Sequence, residues 1–425
     1  MTSIGRIIIV GPASPAALSS HLSGADSQRA AAIKGMGAGT GAGTGAEPVS
    51  ALVRALLERG FAVDLVALTP HVTDLQHLSG PGLDIRIGPY RKRARHRARD
   101  FFAAERRAVS DLLAFASGDI VHAHWTYEFA LSCERERRPV LVTAHDAPLT
   151  ILRLHRDAYR LARTILAYRA RLGIRTMSAV SPHLAHRWRR EMAYLRPIKV
   201  VPNISDGLPV VAPRTTRSHR LVLDVADQTG LKNVASLIRA FSEVRRLRPD
   251  AVLRLVGPGL SPTDRLAGWA RTNGLDAAVE FVGPVAHSAI AHHLAEADVF
   301  AHVSLEESLG VSVCEAMHAA LPVIGGQGSG AIPWTLDEGR CGLLVDVRDP
   351  GAIAEGILRL FANPGLATGL GQAARSRAVT TFGADAVVRG YLDAYATAIQ
   401  EQAPAKSPRR SGQRRRPGGS WTVPP

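Results

Sequence analysis

Cysteine is scarce in this chain. Its three thiols, Cys133, Cys314 and Cys341, lie far apart with no histidine at ligand spacing, so neither a disulfide framework nor a zinc site is expected. Long apolar runs are missing as well. The N-terminus MTSIGRIIIVGPASP holds an apolar run of only four residues, too short for the core of a signal peptide. Nowhere do eighteen apolar residues follow one another, as a membrane-spanning helix requires. A reducing, cytoplasmic setting is the expectation. No D-x-D string offers paired metal carboxylates, so no metal is expected, and no G-x-S-x-G elbow offers a nucleophilic serine.

What the chain does have is length, alternation and basic charge. At 425 residues it exceeds what one growing core accommodates, so two domains with a cleft between them are expected. Short β-branched runs at 6–10, 62–68, 120–123, 140–144, 177–180 and 199–201 alternate with helical patterns, and a second series follows at 221–225, 252–256, 279–282, 299–303, 322–324 and 342–345. This predicts an α/β protein of two doubly wound, Rossmann-like domains, over residues 1–205 and 206–385, joined through the proline-rich stretch 203–220. A helix is predicted over 386–402. The remainder, 403–425, carries six basic residues and no acidic one and has no face to pack, so it reads as disordered.

Residues 12–47, with GMGAGTGAGTGA, read as a glycine-rich loop between the first strand and a helix over 49–59. Two readings stay open for it: a low-complexity insertion, or glycine amides approaching a phosphate at a helix N-terminus. Gly41, Gly43 and Ala46 spell G-x-G-x-x-A, but a dinucleotide fingerprint opens its helix directly after the strand, and about thirty residues separate Val10 from Gly41. A dehydrogenase is therefore not the reading adopted.

The stretch VFAHVSLEESLGVSVCEAMHAALPVIG predicts a strand, an acidic turn and a helix beginning near Leu309 or Gly310. Glu307 falls in the turn and Glu315 on the helix. Eight residues of helix span ~12 Å, so the two carboxylates can hold separated parts of one extended ligand. A carboxylate accepts two hydrogen bonds from vicinal hydroxyls, and a helix N-terminus attracts anions. The bland alternative is a pair of solvated surface charges. Against it, Cys314, Met317 and the alanines around Glu315 make that helix mostly apolar.

ESLGVSVCEAM is similar to the E-x7-E signature of the retaining family 4 glycosyltransferases, which have the two-domain GT-B fold. RGFAVDLVAL, DIVHAHW, LVTAHD, AVSPHLA, VVPNI, LKNVASLIRAF, LRLVGPG, VEFVGPV and GLLVDVRDP agree with that family in order and spacing. The resemblance implies a nucleotide diphosphate sugar (UDP- or GDP-linked) as donor and no bound cofactor. It implies that Glu315 binds the ribose hydroxyls, and that Glu307 with Ser308, Leu309, Gly310 and Val311 holds the transferred sugar. Lys232 would meet the diphosphate, backbone near Val285 would meet the base, and His145 would reach across the cleft toward the sugar. It also implies transfer with retention, in envelope glycan, polysaccharide or glycolipid synthesis.

Three positions depart from the family pattern. Asp227 stands where an arginine usually precedes the diphosphate lysine, Leu309 replaces a phenylalanine, and Trp334 stands where glutamate is common. Asp227 motivates a second reading, a non-catalytic scaffold of the same fold that binds a nucleotide or partner.

Basic charge is concentrated in the first half. Residues 1–205 carry 29 Lys or Arg against 16 Asp or Glu, and residues 206–402 carry 17 against 21. Residues 91–116 read as one helix with an apolar stripe of Phe101, Ala104, Ala108, Leu112 and Phe115. In residues 152–172, Leu154, Ala158, Leu161, Ile165, Tyr168 and Leu172 form a stripe expected to pack inward, with Arg153, Arg156, Arg160 and Arg163 alongside. The expected partners of this half are an anionic or lipid-linked acceptor and the anionic inner face of a membrane. Nucleic acid is the lesser alternative, because no aromatic-interleaved motif accompanies the charge. His122 and His124 are expected on opposite faces of their strand, so that only one faces the cleft.

Overall fold

The computed structural model describes residues 4–35, 46–209, 211 and 220–402. The first sheet comprises β1 (Arg6–Val10), β2 (Ala62–Thr69), β3 (Gln76–Gly80), β4 (Leu83–Pro89), β5 (Ile120–His124), β6 (Val140–Ala144), β7 (Thr176–Ala179) and β8 (Ile198–Val200). Their spatial order is β3-β4-β2-β1-β5-β6-β7-β8, parallel throughout except where β3 runs antiparallel to β4. The second sheet comprises β9 (Arg220–Val225), β10 (Ala251–Val256), β11 (Val279–Gly283), β12 (Val299–His302), β13 (Val323–Gly326) and β14 (Leu343–Val345). Its order is β11-β10-β9-β12-β13-β14, all parallel.

Every strand expected from an apolar run is present, because a parallel strand covered by helices on both faces must be apolar along its length. Ile7, Ile8, Ile9 and Val10 have no exposed surface at all. The two strands not foreseen, β3 and β4, form an edge hairpin. In β4, Leu83, Ile85 and Ile87 are buried while Asp84 and Arg86 between them are partly exposed, so its signal is alternation and not a run.

In the second sheet the strand order reverses between β9 and β12. Connections leave those two strands in opposite directions, opening a crevice at their carboxyl ends, the usual place for a ligand in an open α/β sheet. Lys232 follows β9 and Glu307 follows β12, so both are delivered there by topology.

Several local expectations are corrected. The 12–47 segment is not all loop: it contains a short 3-10 helix, Ala16–His21, and an α-helix, Gly24–Ala32, and the next helix begins at Ala46. Gly41 and Gly43 lie outside the described residues, as do 210 and 212–219 of the 203–220 connection and all of 403–425. Residues 91–116 are two helices, Ala94–Arg99 and Ala103–Ala114. They are broken where Phe101 and Phe102 adopt positive φ, which turns Phe102 into the core and leaves Phe101 and Phe115 exposed.

The second basic segment is likewise split, into Pro148–His155 and Ala158–Gly173, by the left-handed Arg156 and the N-cap Asp157, whose carboxylate accepts from the Arg160 amide. Its inward face carries Ala162, Thr164, Leu166, Ala167 and Ala170, and the three alanines let the helix approach its neighbours closely. Leu154, Leu161, Ile165 and Leu172 of the anticipated packing stripe face solvent instead.

The last helix, Ala384–Gln402, returns to the first sheet. Val387, Val388, Tyr391, Ala394, Tyr395 and Ala398 pack into the cluster that contains Ile7, Ile9 and Leu141. Gln402 clamps the Val140 backbone, donating to its carbonyl at 2.9 Å and accepting from its amide at 3.1 Å.

Candidate functional site

Glu307 lies in the turn after β12, and its carboxylate is 2.5 Å from Lys232 Nζ. Burial opposes ionisation of this carboxyl, but the Lys232 ammonium and the His302 ring more than reverse it, holding Glu307 well below its ordinary range. Burial also disfavours the Lys232 charge, and Glu307 overcomes it, so the lysine is raised. The pair is therefore ionised across the physiological range, a fixed plus and minus at the floor of the crevice.

The turn is held by its carbonyls. Ser304 O accepts from Ser329 Oγ at 2.5 Å, Glu307 O from the Ala331 amide at 2.9 Å, and Leu309 O from Thr335 Oγ1 at 2.8 Å. Ser308 O accepts from Ser181 Oγ at 2.5 Å, a contact that crosses from the first domain. Among the described residues no backbone acceptor takes the amides of Ser308, Leu309, Gly310 or Val311. Four donors are thus left where the Val311–His318 helix begins, with Gly310 as its N-cap. Gly310 has φ +83°, and a Cβ there would lie 2.7 Å from Ile332, so glycine is required twice over. The arrangement is an anion cradle built from free amides and a helix end.

Glu315 does not touch Glu307. It sits one helix further in, 7% exposed, and its Oε1 is 2.6 Å from His287 Nε2. That hydrogen bond raises His287 above its ordinary value. His287 lies two residues beyond Val285 on the loop after β11, and Val285 packs against the core, so this loop is drawn over Glu315.

On the first domain, His145 follows β6 and is partly exposed. Its Nε2 is 2.9 Å from His124 Nδ1, leaving Nδ1 for a ligand. Burial pushes His145 down to about 3, so it is a neutral hydrogen-bonding group and not an acid at neutral pH. His122 and His124 share one face of β5, with ring centroids 4.1 Å apart, because residues two apart on a strand point the same way. The expectation of opposite faces is corrected. His122 is held by Tyr395 and Thr143, and His124 backs His145.

The departures have local accounts. Asp227 Oδ1 accepts from the Thr229 amide at 2.8 Å and so shapes the loop that carries Lys232. Trp334 packs edge-on against Phe382 and offers its carbonyl to Arg377. Residues that the sequence did not single out complete the site: His302 and Asp224 beneath Glu307, His287 on Glu315, and His183 with Arg187 reaching Glu306 from the first domain at 2.6 and 3.6 Å. The usable signal for two of them was a polar residue inside an apolar strand, Asp in LVLDV and His in VFAHV. No group of three or more His, Cys, Asp or Glu able to hold a metal occurs among the described residues.

Residues 49–206 match the family model described as Glycosyltransferase Family 4, and residues 216–377 match that of Glycosyl transferases group 1. A D-inositol 3-phosphate glycosyltransferase of Kineococcus radiotolerans is 33% identical over 188 residues, which are 41% of this chain. The match spans 43% of that relative, less than half its length. Among solved structures, sucrose-phosphate synthase from Thermosynechococcus elongatus superposes with a TM-score of 0.73 at 20% identity, over 93% of this chain and 99% of that one. The Anabaena protein HepE, crystallised with UDP and glucose, superposes with a TM-score of 0.64 at 17% identity, over 93% and 100%.

Proposed function

We propose, from the premise that this chain belongs to the GT-B-fold glycosyltransferases, with a Family 4 first half and a group 1 second half, that it transfers a sugar from a nucleotide diphosphate sugar to an anionic acceptor with retention of configuration. The observation that carries this reading is the buried Lys232–Glu307 pair beside the free amides of Ser308 to Val311.

In this mechanism the diphosphate lies against Lys232 and the amide cradle, and Glu307 accepts hydrogen bonds from hydroxyls of the transferred sugar. Breaking the sugar–phosphate bond places negative charge on the departing nucleotide, where a preorganised ammonium and helix end are worth most. The acceptor hydroxyl attacks from the face the phosphate vacates and passes its proton to that phosphate, so no protein nucleophile is needed. The ribose diol takes the Glu315 carboxylate, sharing it with or displacing His287. His145, neutral and braced by His124, offers Nδ1 to a sugar hydroxyl.

Two features favour an anionic acceptor. A cavity of about 520 Å³ beside the sugar site is lined by Arg153, His183, His186, Arg187 and Arg190 against the single carboxylate of Glu191. The relative from Kineococcus is named for a phosphorylated acceptor. UDP in the HepE complex makes a UDP-sugar the first donor to test. The deciding experiment is a screen of UDP- and GDP-sugars for nucleotide release, with Glu307→Ala and Lys232→Ala as controls. Release by the wild type alone is expected. A wild type that binds nucleotide yet matches both variants in silence on every donor and acceptor would establish the non-catalytic scaffold instead.

We also infer that the first domain docks on anionic membrane through the exposed stripe of Leu161, Ile165 and Leu172, which are 49%, 46% and 77% exposed on one helix face. Arg160 lies beside this stripe on the same helix, and the exposed Arg153 and Arg156 precede it in the chain, adding charge that complements acidic headgroups. No helix among the described residues is long and apolar enough to cross a membrane. Vesicles rich in phosphatidylglycerol are expected to float the wild type, and Ile165→Glu is expected to weaken that binding about tenfold. Equal flotation with neutral and anionic vesicles at low salt would overturn the docking.

A further inference from the structure

Two further ionisable side chains lie beneath the Glu307–Lys232 pair. Asp224 on β9 and His302 on β12 are each 1% exposed, in strands whose other inward residues are aliphatic or aromatic. His302 Nε2 lies 3.0 Å from Glu307 Oε1, the same oxygen that Lys232 Nζ approaches at 2.5 Å. His302 Nδ1 lies 4.0 Å from Asp224 Oδ1. Among the described residues neither Asp224 oxygen nor His302 Nδ1 has a hydrogen-bond partner of normal geometry, although the Val225 amide helps to hold the Asp224 charge.

Proton counting constrains this arrangement. Glu307 is a carboxylate and can only accept, so His302 Nε2 carries a hydrogen. If nothing else were protonated, the Nδ1 lone pair would face a buried carboxylate, two acceptors with no donor between them. One more proton removes the conflict, held either on Nδ1 as an imidazolium beside a carboxylate or on Asp224 as a neutral acid pointing at Nδ1. Both forms give the dyad the same total charge of zero. Together with Lys232 and Glu307 the buried group is then neutral, whereas without that proton it would carry a net negative charge under the diphosphate.

We propose that Asp224 and His302 share one proton beneath the Glu307–Lys232 pair and act as a positioning dyad for Glu307, keeping the buried group under the diphosphate from carrying a net negative charge. His302 orients the carboxylate that receives the sugar and, by donating to Glu307, frees Lys232 to face the departing diphosphate. The inference deepens the glycosyltransferase reading and rests on it for its catalytic consequence, but not for the shared proton. The charged groups facing His302 are Asp224 from β9, Lys232 from the turn after it and Glu307 from the turn after β12, with Asp227 acting through Lys232. From β13 the residue opposite is Gly325, and Phe300 stacks on the ring from its own strand.

Burial raises Asp224 to about 6, against the pull of His302 and Lys232. Below that pH a second proton enters the dyad, Asp224 stops accepting, and His302 loses its anchor. The wild-type kcat/KM is therefore expected to fall as pH drops through about 6.

The test has two arms. In the first, the full chain is labelled with 15N-histidine, the His302 ring signals are identified by their loss in His302→Gln, and they are followed from pH 5.5 to 8. A strongly hydrogen-bonded or protonated Nδ1 at pH 7 is expected in the wild type and a plain lone-pair Nδ1 in Asp224→Asn. A lone-pair nitrogen in both proteins would overturn the proposal, whatever the enzyme does. In the second, UDP release from UDP-sugars is compared, with thermal melts confirming that both variants fold. Asp224→Asn is expected to lower kcat about tenfold with little change in donor KM and to lose the acid limb. His302→Gln, which still donates to Glu307 but carries no charge, is expected to behave alike. A kcat unchanged in both variants, with the acid limb intact, would overturn the catalytic role. A wild type without activity on any donor would count against the glycosyltransferase reading and leave the shared proton to be decided by the first arm.

Discussion

Lys232→Met is expected to reduce kcat for sugar transfer about a thousandfold, because in the proposed mechanism it deletes the buried ammonium that faces the departing diphosphate. The loss is not confined to the missing charge. Glu307 is ionised because Lys232 and His302 outweigh its burial. With the lysine gone, the balance tips toward the neutral acid, and the residue that should accept sugar hydroxyls begins to compete as a donor. Glu307→Gln, which keeps the shape and loses the charge, is expected to cost about a hundredfold. The double variant should be hardly worse than Lys232→Met alone, because each single change already disables the partner. A double variant whose loss equals the product of the two would show that the side chains act independently.

The same substitution carries a pH signature. In the wild type Glu307 lies below its ordinary value, so its contribution to stability is present above that value and is lost only in strong acid as pH falls through the depressed one. In Lys232→Met the sign is expected to reverse. With the ammonium gone only His302 opposes burial, so Glu307 is expected to rise, and a rise above its ordinary value makes stability fully present in mild acid and lost as pH rises through the new value. Breaking a buried pair by removing one partner costs about 3–5 kcal/mol. The variant should therefore melt nearer to the wild type at pH 5 than at pH 8, and a gap that does not change with pH would contradict the account of the pair.

The parts of this molecule that were legible in the sequence are those where one physical requirement dominates. A central parallel strand must be apolar throughout, so Arg6–Val10 or Val140–Ala144 cannot be mistaken. The turn carrying Glu307 was visible because a carboxylate beside a glycine-started apolar helix has no packing rationale. Where two requirements compete, sequence reading failed. The helix Ala158–Gly173 has two apolar stripes, one large and one small, and the small one faces inward because alanines permit close approach. Residues 91–116 have a helical period across Phe101 and Phe102, yet their left-handed backbone is paid for by burying Phe102 completely, a tertiary gain that local periodicity does not encode. His287 was invisible for another reason: its partner, Glu315, is 28 residues away on a different element, and nothing in a loop sequence declares which carboxylate it will meet.

The C-terminal helix shows the same gap between element and destination, and its interface gives an expected effect on stability as large as that of the buried pair. Helical spacing announced the element, but not that it would leave the second domain and close the core of the first. Tyr395 is fully buried there, and its hydroxyl meets His122 Nδ1 at 2.9 Å. The other His122 nitrogen is held by Thr143 Oγ1 at 2.6 Å, which in turn meets Ser178 Oγ at 2.7 Å, so the tyrosine terminates a chain of buried polar groups across β5, β6 and β7. Tyr395→Ala is expected to cost about 3–5 kcal/mol, the usual range for emptying a large aromatic site. Tyr395→Phe keeps the packing and strands one His122 nitrogen, costing about 1–3 kcal/mol. Because the His122 ring lies against His124, which braces His145, the loss should reach His145 as well as the core. Amide hydrogen exchange locates the effect: Tyr395→Ala should deprotect β1, β5, β6 and β7 while leaving β9, β10 and β12 at wild-type protection. Equal deprotection of both sheets would mean that the helix joins the two domains into one cooperative unit, and no change in either would mean that it contributes nothing to the first core.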